Sequence, residues 1–237
     1  MRTRKLLVAT VWWSLALIFG STLGWCGAGL PRARESEVPL KAIVRTFNYA
    51  EAPGEVLAGG ERMAGEIFRH AGIELVWIDC PVSPNDLDNF AACAKLTDLT
   101  VKILPETMAS GFRTPPSQLG VTIDQHASYA FYPRVRDLAC NADLSESAIL
   151  GTVMAHEFGH LLLGQGSHSD KGILMADLCV KNFREAEKGK PLTFSAEQAQ
   201  RMRARFAGTI SYATLGGPDH TPGNLRSLGA SKPSLNF

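Results

Sequence analysis

The chain has 237 residues, 45% of them hydrophobic and 20% charged, enough for one domain with a sizeable core once an N-terminal leader is set aside. Its 24 Lys and Arg stand against 23 Asp and Glu, a formal net charge of +1 that leaves no basic footprint for nucleic acid. No internal repeat is evident.

Arg2, Arg4 and Lys5 precede an uncharged run from Leu6 to Leu30, densest in apolar residues up to Phe19 and closing on the small residues Gly24, Gly27 and Ala28. Basic, apolar and small residues in that order predict a secretory signal peptide over residues 1–28, cleaved after Ala28. The competing expectation is an uncleaved membrane anchor, because residues 6–30 are long enough to cross a bilayer, although Trp12, Trp13, Gly20, Gly24 and Gly27 make an uneven span. A lipoprotein site at Cys26 is disfavoured by the bulky Trp25 before it.

Losing the leader removes Cys26 and leaves Cys80, Cys93, Cys140 and Cys179, an even set without a Cys-x-x-Cys pair. In an exported chain two disulfides are the simplest outcome, and proximity in sequence favours Cys80 with Cys93 and Cys140 with Cys179. In a cytosolic chain the same four would be buried thiols.

A domain is expected over residues 38–207. Leu40 to Tyr49 predicts a strand, with Ala42, Val44 and Thr46 alternating against charged neighbours. Val56 to His70 predicts a helix with Met63, Ile67, Phe68 and Ala71 on one face and Gly72 as its stop. Ile73 to Asp79 and Leu99 to Leu104 read as strands separated by a loop holding Pro81, Pro84 and Cys93. Residues 106–117 read as loop, followed by short strands at Leu119 to Ile123 and Ser128 to Tyr132, where Tyr129, Phe131 and Tyr132 are expected to pack the core. His126 reads as a surface-turn histidine, and His70 and His220 have no partner visible in sequence.

Ala148 to Leu163 is almost wholly apolar and predicts a buried helix, capped by Asp143 or Ser145, with Glu146 in its first turn and Gly164 at its end. Phe194, Ser195 and Gln198 form a capping-box pattern opening a last helix from Ala196 to Phe206. From Gly208 the chain is rich in Gly, Pro and Ser without periodicity, so residues 208–237 are expected to form a flexible tail. The element order is that of an α/β arrangement.

The chemistry lies in the buried helix, where residues 156–160 read His-Glu-Phe-Gly-His. Random placement yields such a pentapeptide in roughly one chain of this length per hundred, so its setting decides its meaning. On a helix His156 and His160 lie one turn apart on one face and can grip one zinc ion, with Glu157 beside it as general base. In the competing reading both histidines are core residues hydrogen-bonded within the helix. Three ionisable groups in so apolar a stretch are costly to bury without a partner, and a metal supplies one. A catalytic zinc site commonly has three protein ligands. His168, brought back by the Gly164-Gln165-Gly166-Ser167 turn, is the natural third, and Asp170 is a carboxylate alternative.

His156, Glu157, His160, Gly164, His168, Ser169 and Met175 together resemble the metzincin metallopeptidases, and among them the matrixin pattern. That family carries His-Glu-x-x-His-x-x-Gly-x-x-His, often with a following Ser, and then a turn with a Met beneath the metal. Here the Gly falls eight residues after His156 instead of seven, and the last His twelve after instead of ten. The helix is therefore expected to run one residue further and the loop to be longer. The tyrosine that some members place after the Met-turn is missing, since Ala176 and Asp177 stand there. If the arrangement were instead similar to thermolysin, an acidic residue such as Asp177, Glu185 or Glu187 would complete the ligand set.

The resemblance implies a zincin-like α+β fold, a mixed sheet backed by a helix with a central zinc helix and a mostly irregular C-terminal part. It also implies a secreted zinc endopeptidase, with Zn2+ held by His156, His160 and His168, Glu157 as base and Met175 under the metal. A peptide or protein substrate would pair as an extended strand with the edge around Leu119 to Tyr132. The alternative is an exported, non-catalytic zinc-binding or interaction module on the same scaffold, against which Glu157 itself argues.

Overall fold

The computed structural model describes residues 40–83, 93 and 99–214, the side chains to residue 207. The predicted leader, with its cleaved and anchored alternatives, lies outside the described residues. Among those described, no helix is long and apolar enough to cross a membrane.

Five strands form one mixed sheet: β1 Leu40–Asn48, β2 Ile73–Cys80, β3 Leu99–Leu104, β4 Gly120–Thr122 and β5 Ser128–Phe131. Their order across the sheet is β2-β1-β3-β5-β4. The first four in that order run parallel, and β4 alone is antiparallel, pairing Gly120 with Ala130 and Thr122 with Ser128. The short β4 therefore forms one rim of the sheet. Its shortness follows from the Pro115, Pro116 and Gly120 that precede and open it, which interrupt longer pairing.

Among the described residues these helices accompany the sheet: α1 Gly54–His70, α2 Glu106–Ala109, α3 Tyr132–Ala142, α4 Glu146–Leu163, α5 Val180–Glu187 and α6 Ala196–Thr214. The alternation predicted for β1 sends Ala42, Val44 and Thr46 inward, where they are buried with Val101 and Ile103 of β3. Against this face lie Ile67 and Phe68 of α1 and Ile149, Leu150, Met154 and Phe158 of α4, all fully buried. Burial of each such side chain contributes about 1.5–3 kcal/mol, so the sheet and these two helices form the main core. Phe68 meets Phe158 and Phe194 edge-on, with ring centroids 6.0 and 5.1 Å apart. Gly151 lets α4 approach α1, since a Cβ there would collide with the carbonyl of Gly60 and the stem of Met63.

Three helices, α2, α3 and α5, lie where the sequence reading has none. Tyr132 is the first residue of α3, not the end of β5, and Pro133 occupies the helix's first turn, where its missing N–H costs nothing. Asp143 has a left-handed backbone (φ 52°) that ends α3, so Ser145 alone caps α4. Helix α5 buries only Phe183 and Ala186. The expected loop at 106–117 begins instead with α2 and a 3-10 turn, Ser110–Phe112. Helix α6 runs to Thr214, seven residues into the span expected as tail, and residues 215–237 lie outside the described residues.

Cys80 and Cys93 form the expected disulfide. The second expected pair does not form: Cys140 and Cys179 are free and exposed, the former on the unpredicted helix α3 and the latter at the start of α5. Their proximity in sequence therefore fails as a guide. Alkylation of the native protein is expected to modify Cys140 and Cys179 without reductant and Cys80 and Cys93 only after reduction, as read by peptide mass mapping; protected Cys140 and Cys179 would restore the second bridge.

Candidate metal centre

Helix α4 carries the motif because its N-terminus is well satisfied and its body is buried. The Ser145 hydroxyl accepts from Ala148 N at 3.4 Å, the Glu187 carboxylate accepts from Ser145 N at 2.9 Å, and Tyr132 donates its hydroxyl to Glu146 at 2.6 Å. The helix ends at Gly164, whose N–H bonds to His160 O. The helix's last residue is thus Leu163, one later than the family spacing gives, as the displaced glycine predicts.

His156 and His160 project from one face, and the following loop returns His168 to them. His160 Nε2 lies 3.0 Å from His156 Nε2 and 3.1 Å from His168 Nε2. Three nitrogens around one tetrahedral zinc would stand about 3.3 Å apart, given metal–nitrogen distances near 2.0–2.1 Å. The outer nitrogens fix which tautomer is present. His156 Nδ1 donates to Ile173 O at 2.8 Å, and His160 Nδ1 donates to Ser167 Oγ at 3.1 Å and to Gly164 O at 3.3 Å. Both rings then turn an Nε2 lone pair toward the same point. Lone pairs that meet this closely repel unless a cation lies among them, so the donor set fits a metal ion.

Electrostatics point the same way. Burial pushes the His156 imidazole down to about 4, against the pull of the Ile173 carbonyl, and holds His160 below its ordinary value too. Both rings stay neutral and available as ligands at neutral pH. Burial pushes the Glu157 carboxyl up to about 7, partly opposed by the Thr122 hydroxyl.

The turn beyond the ligand loop is tied to its surroundings. Ser169 N donates to Leu174 O at 2.8 Å, and Gln198 Nε2 of α6 donates to Ser169 Oγ at 3.2 Å. Ile173 N donates to Thr193 O at 3.0 Å, while Gly172, with φ 84°, packs where a Cβ would strike that same carbonyl. Gly172 to Met175 is thus a braced turn that offers Ile173 O to His156, and Met175 lies half-buried at its end.

None of the alternative third ligands joins this cluster. Among the described residues the three histidines are the single group whose donor atoms approach closely enough to hold an ion. Asp170 is exposed, and Glu185 faces Lys188 at 3.8 Å. Glu187 serves the start of α4, about 16 Å along the helix axis from His156. Asp177 lines the cleft without joining the cluster.

That cleft, about 590 Å³, runs between β4 and the segment after Met175. Gln118 to Thr122 form one wall and Asp177, Leu178 and Phe183 another, with the three histidines and Glu157 between them. The upper wall is organised by Arg134 of α3, which pairs with Glu106 at 2.8 Å and donates to Thr114, Pro115 O and Gln118 O. The sequence gives no sign of Arg134 and Thr122 as site residues, and marks Gln165 and Ser167 only as part of the turn before His168. The signal for Thr122 was a hydroxyl at an inward position of a short strand, which by itself does not distinguish a site from a core.

No family model matches the sequence, and no curated protein matches it. Among solved structures, the crystal structure of archaemetzincin from Methanopyrus kandleri is 12% identical, with a TM-score of 0.42 over 73% of this chain and 98% of that one. The solution structure of TM1509 from Thermotoga maritima is 14% identical, with a TM-score of 0.30 over 77% of this chain and 99% of that one. Likeness at these levels decides nothing about activity, which rests on the geometry of the site. Replacing His168 by Ala is expected to weaken divalent-metal affinity at least 10-fold by isothermal titration, whereas Asp170→Ala and Glu187→Ala should leave it unchanged. Undiminished affinity without His168 would move the third ligand elsewhere.

Proposed function

We propose that the protein is an exported zinc-dependent endopeptidase, zincin-like in fold and matrixin-like in its run of ligands. One observation carries the reading: three imidazoles converge at 3.0–3.1 Å beside a buried carboxylate, on the floor of a cleft whose wall is a sheet edge. His156, His160 and His168 would hold the ion, and three nitrogen donors suit zinc with a position left open. Zinc, when bound, supplies Lewis acidity that polarises a carbonyl and acidifies water.

The chain's own groups do the rest. Glu157 takes the proton of the attacking water and passes it to the leaving amine. The rim strand β4 offers main-chain groups to an extended peptide, which would lie antiparallel or parallel along Gln118 to Val121. A docking peptide would displace the Gln118 carboxamide, which occupies Gly120 O at 2.9 Å, while Gln118 O is held by Arg134 and the carbonyls of Thr122 and Ile123 by Gln165, at 2.9 and 2.7 Å, so main-chain pairing is confined to a short stretch.

Export is supported by the basic, apolar and small residues of the first 28 positions and by the Cys80–Cys93 disulfide. The balanced charge supports a peptide or protein partner over nucleic acid.

Purified protein is expected to bind about one zinc per chain and to cleave an unfolded protein substrate. Glu157→Gln should retain the metal, by elemental analysis, and lose about 100- to 10,000-fold in kcat. Zinc retained by a wild-type protein that cleaves nothing would favour the non-catalytic zinc-binding module. The pH profile has a definite sign. The base must be ionised to act, so kcat/KM should fall as pH drops. A bound cation lowers the carboxyl from its metal-free value of about 7, which places the midpoint of that limb below 7. A rate that rises as the pH is lowered from 7 would remove Glu157 from the role of base.

A further inference from the structure

Strand β4 grips Glu157 at two points. At Gly120 a Cβ would stand 3.1 Å from Glu157 Cγ and 2.8 Å from both Val153 Cγ1 and Tyr129 O, so the strand lies this close to α4 because that position has no side chain. Two residues on, on the same face of the strand, Thr122 Oγ1 lies 2.8 Å from Glu157 Oε2 and 3.0 Å from the main-chain oxygen of Glu157. Thr122 is buried, and its own backbone is held as well, because Gln165 of the ligand loop donates to Thr122 O and Ile123 O. Glu157 Oε1 has no hydrogen-bond partner among the described residues, and the residue borders the cleft.

We propose that Thr122 is a positioning residue for Glu157: its hydroxyl, braced through Gln165, commits Oε2 to the strand and leaves Oε1 as the one oxygen free to handle a proton in the cleft. An ionised carboxylate on an unbranched stem has several rotamers of similar energy, and most of them would turn it away from a reacting water. A short charge-assisted hydrogen bond selects one of them. The strand that would receive a peptide thus also aims the base, and the loop that carries His168 holds that strand through Gln165. The kinetic part of this inference rests on the peptidase reading; the structural part does not.

The test uses the full zinc-loaded protein. In crystal structures, wild type is expected to keep Glu157 Oε2 on the Thr122 hydroxyl, and Thr122→Val to release the carboxylate into another rotamer. A wild-type carboxylate that leaves Thr122 once zinc is bound overturns the proposal without any variant, and so does one that keeps its place beside valine. In kinetics, Thr122→Val should lower kcat roughly 10- to 100-fold with KM and zinc content unchanged, and Thr122→Ser should restore it. An unchanged kcat in the valine variant, or a serine variant as slow as valine, also overturns it. Should wild type cleave nothing while the carboxylate moves as expected, the peptidase reading fails and the role of Thr122 stands.

Discussion

The rest of the structure depends on one electrostatic constraint: a helix that is apolar nearly all round carries two imidazoles and a carboxyl within five residues, and none of the three can be left buried alone. Each is answered from a different part of the chain. Ile173 O orients His156, the Ser167 hydroxyl orients His160, and Thr122 holds Glu157. These partners come from the turn beyond the ligand loop, the loop itself and the rim strand, so satisfying the helix brings all three to one place. The cleft is where those segments meet around α4.

The framework holding them is ordinary core packing. Phe68, Phe158 and Phe194 interlock, and the close approach of α4 to α1 at Gly151 fixes the helix against the sheet. Because α4 is clamped along its buried length, the positions of His156 and His160 are set by helix geometry, and adjustment is left to the loop that carries His168. Of the two residues more than the family spacing provides between His160 and His168, one extends the helix and the other lengthens the loop, and the third imidazole still reaches the other two. The loop's residues are also used, since Gln165 and Ser167 both make hydrogen bonds within the site.

Much of this was legible in the sequence where a period and a punctuation mark agreed. Strand β1 shows its alternation, α1 its apolar stripe and terminal Gly72, and α6 opens on a Ser195–Gln198 capping box that forms as expected, at 2.9 and 3.1 Å. The motif histidines and Glu157 were readable because helical spacing alone puts them together. Helix α3 was hidden because its buried face is only Tyr132, Val135 and Ala139, and Pro133 suits the end of a strand as well as the start of a helix. The expected Cys140–Cys179 bridge rested on proximity in sequence, which does not register that Cys140 stands exposed on a helix. Thr122 and Gln165 were illegible for a different reason: each acts across about forty residues through one polar contact, and no periodicity records such a contact.

The sheet has two rims of unlike character. The β2 rim ends at Cys80, tied to Cys93, whereas β4 borders the cleft with side-chain amides on the carbonyls of Gly120 and Thr122. An open strand edge that can receive a peptide can also receive another copy of the same protein, and such edges seed aggregation. Here the hazard is limited by length and cover: β4 has three residues, and the carboxamides of Gln118 and Gln165 cap the carbonyls of Gly120, Thr122 and Ile123. A single extended segment can dock on so short an edge, while a growing stack of sheets finds too little to build on.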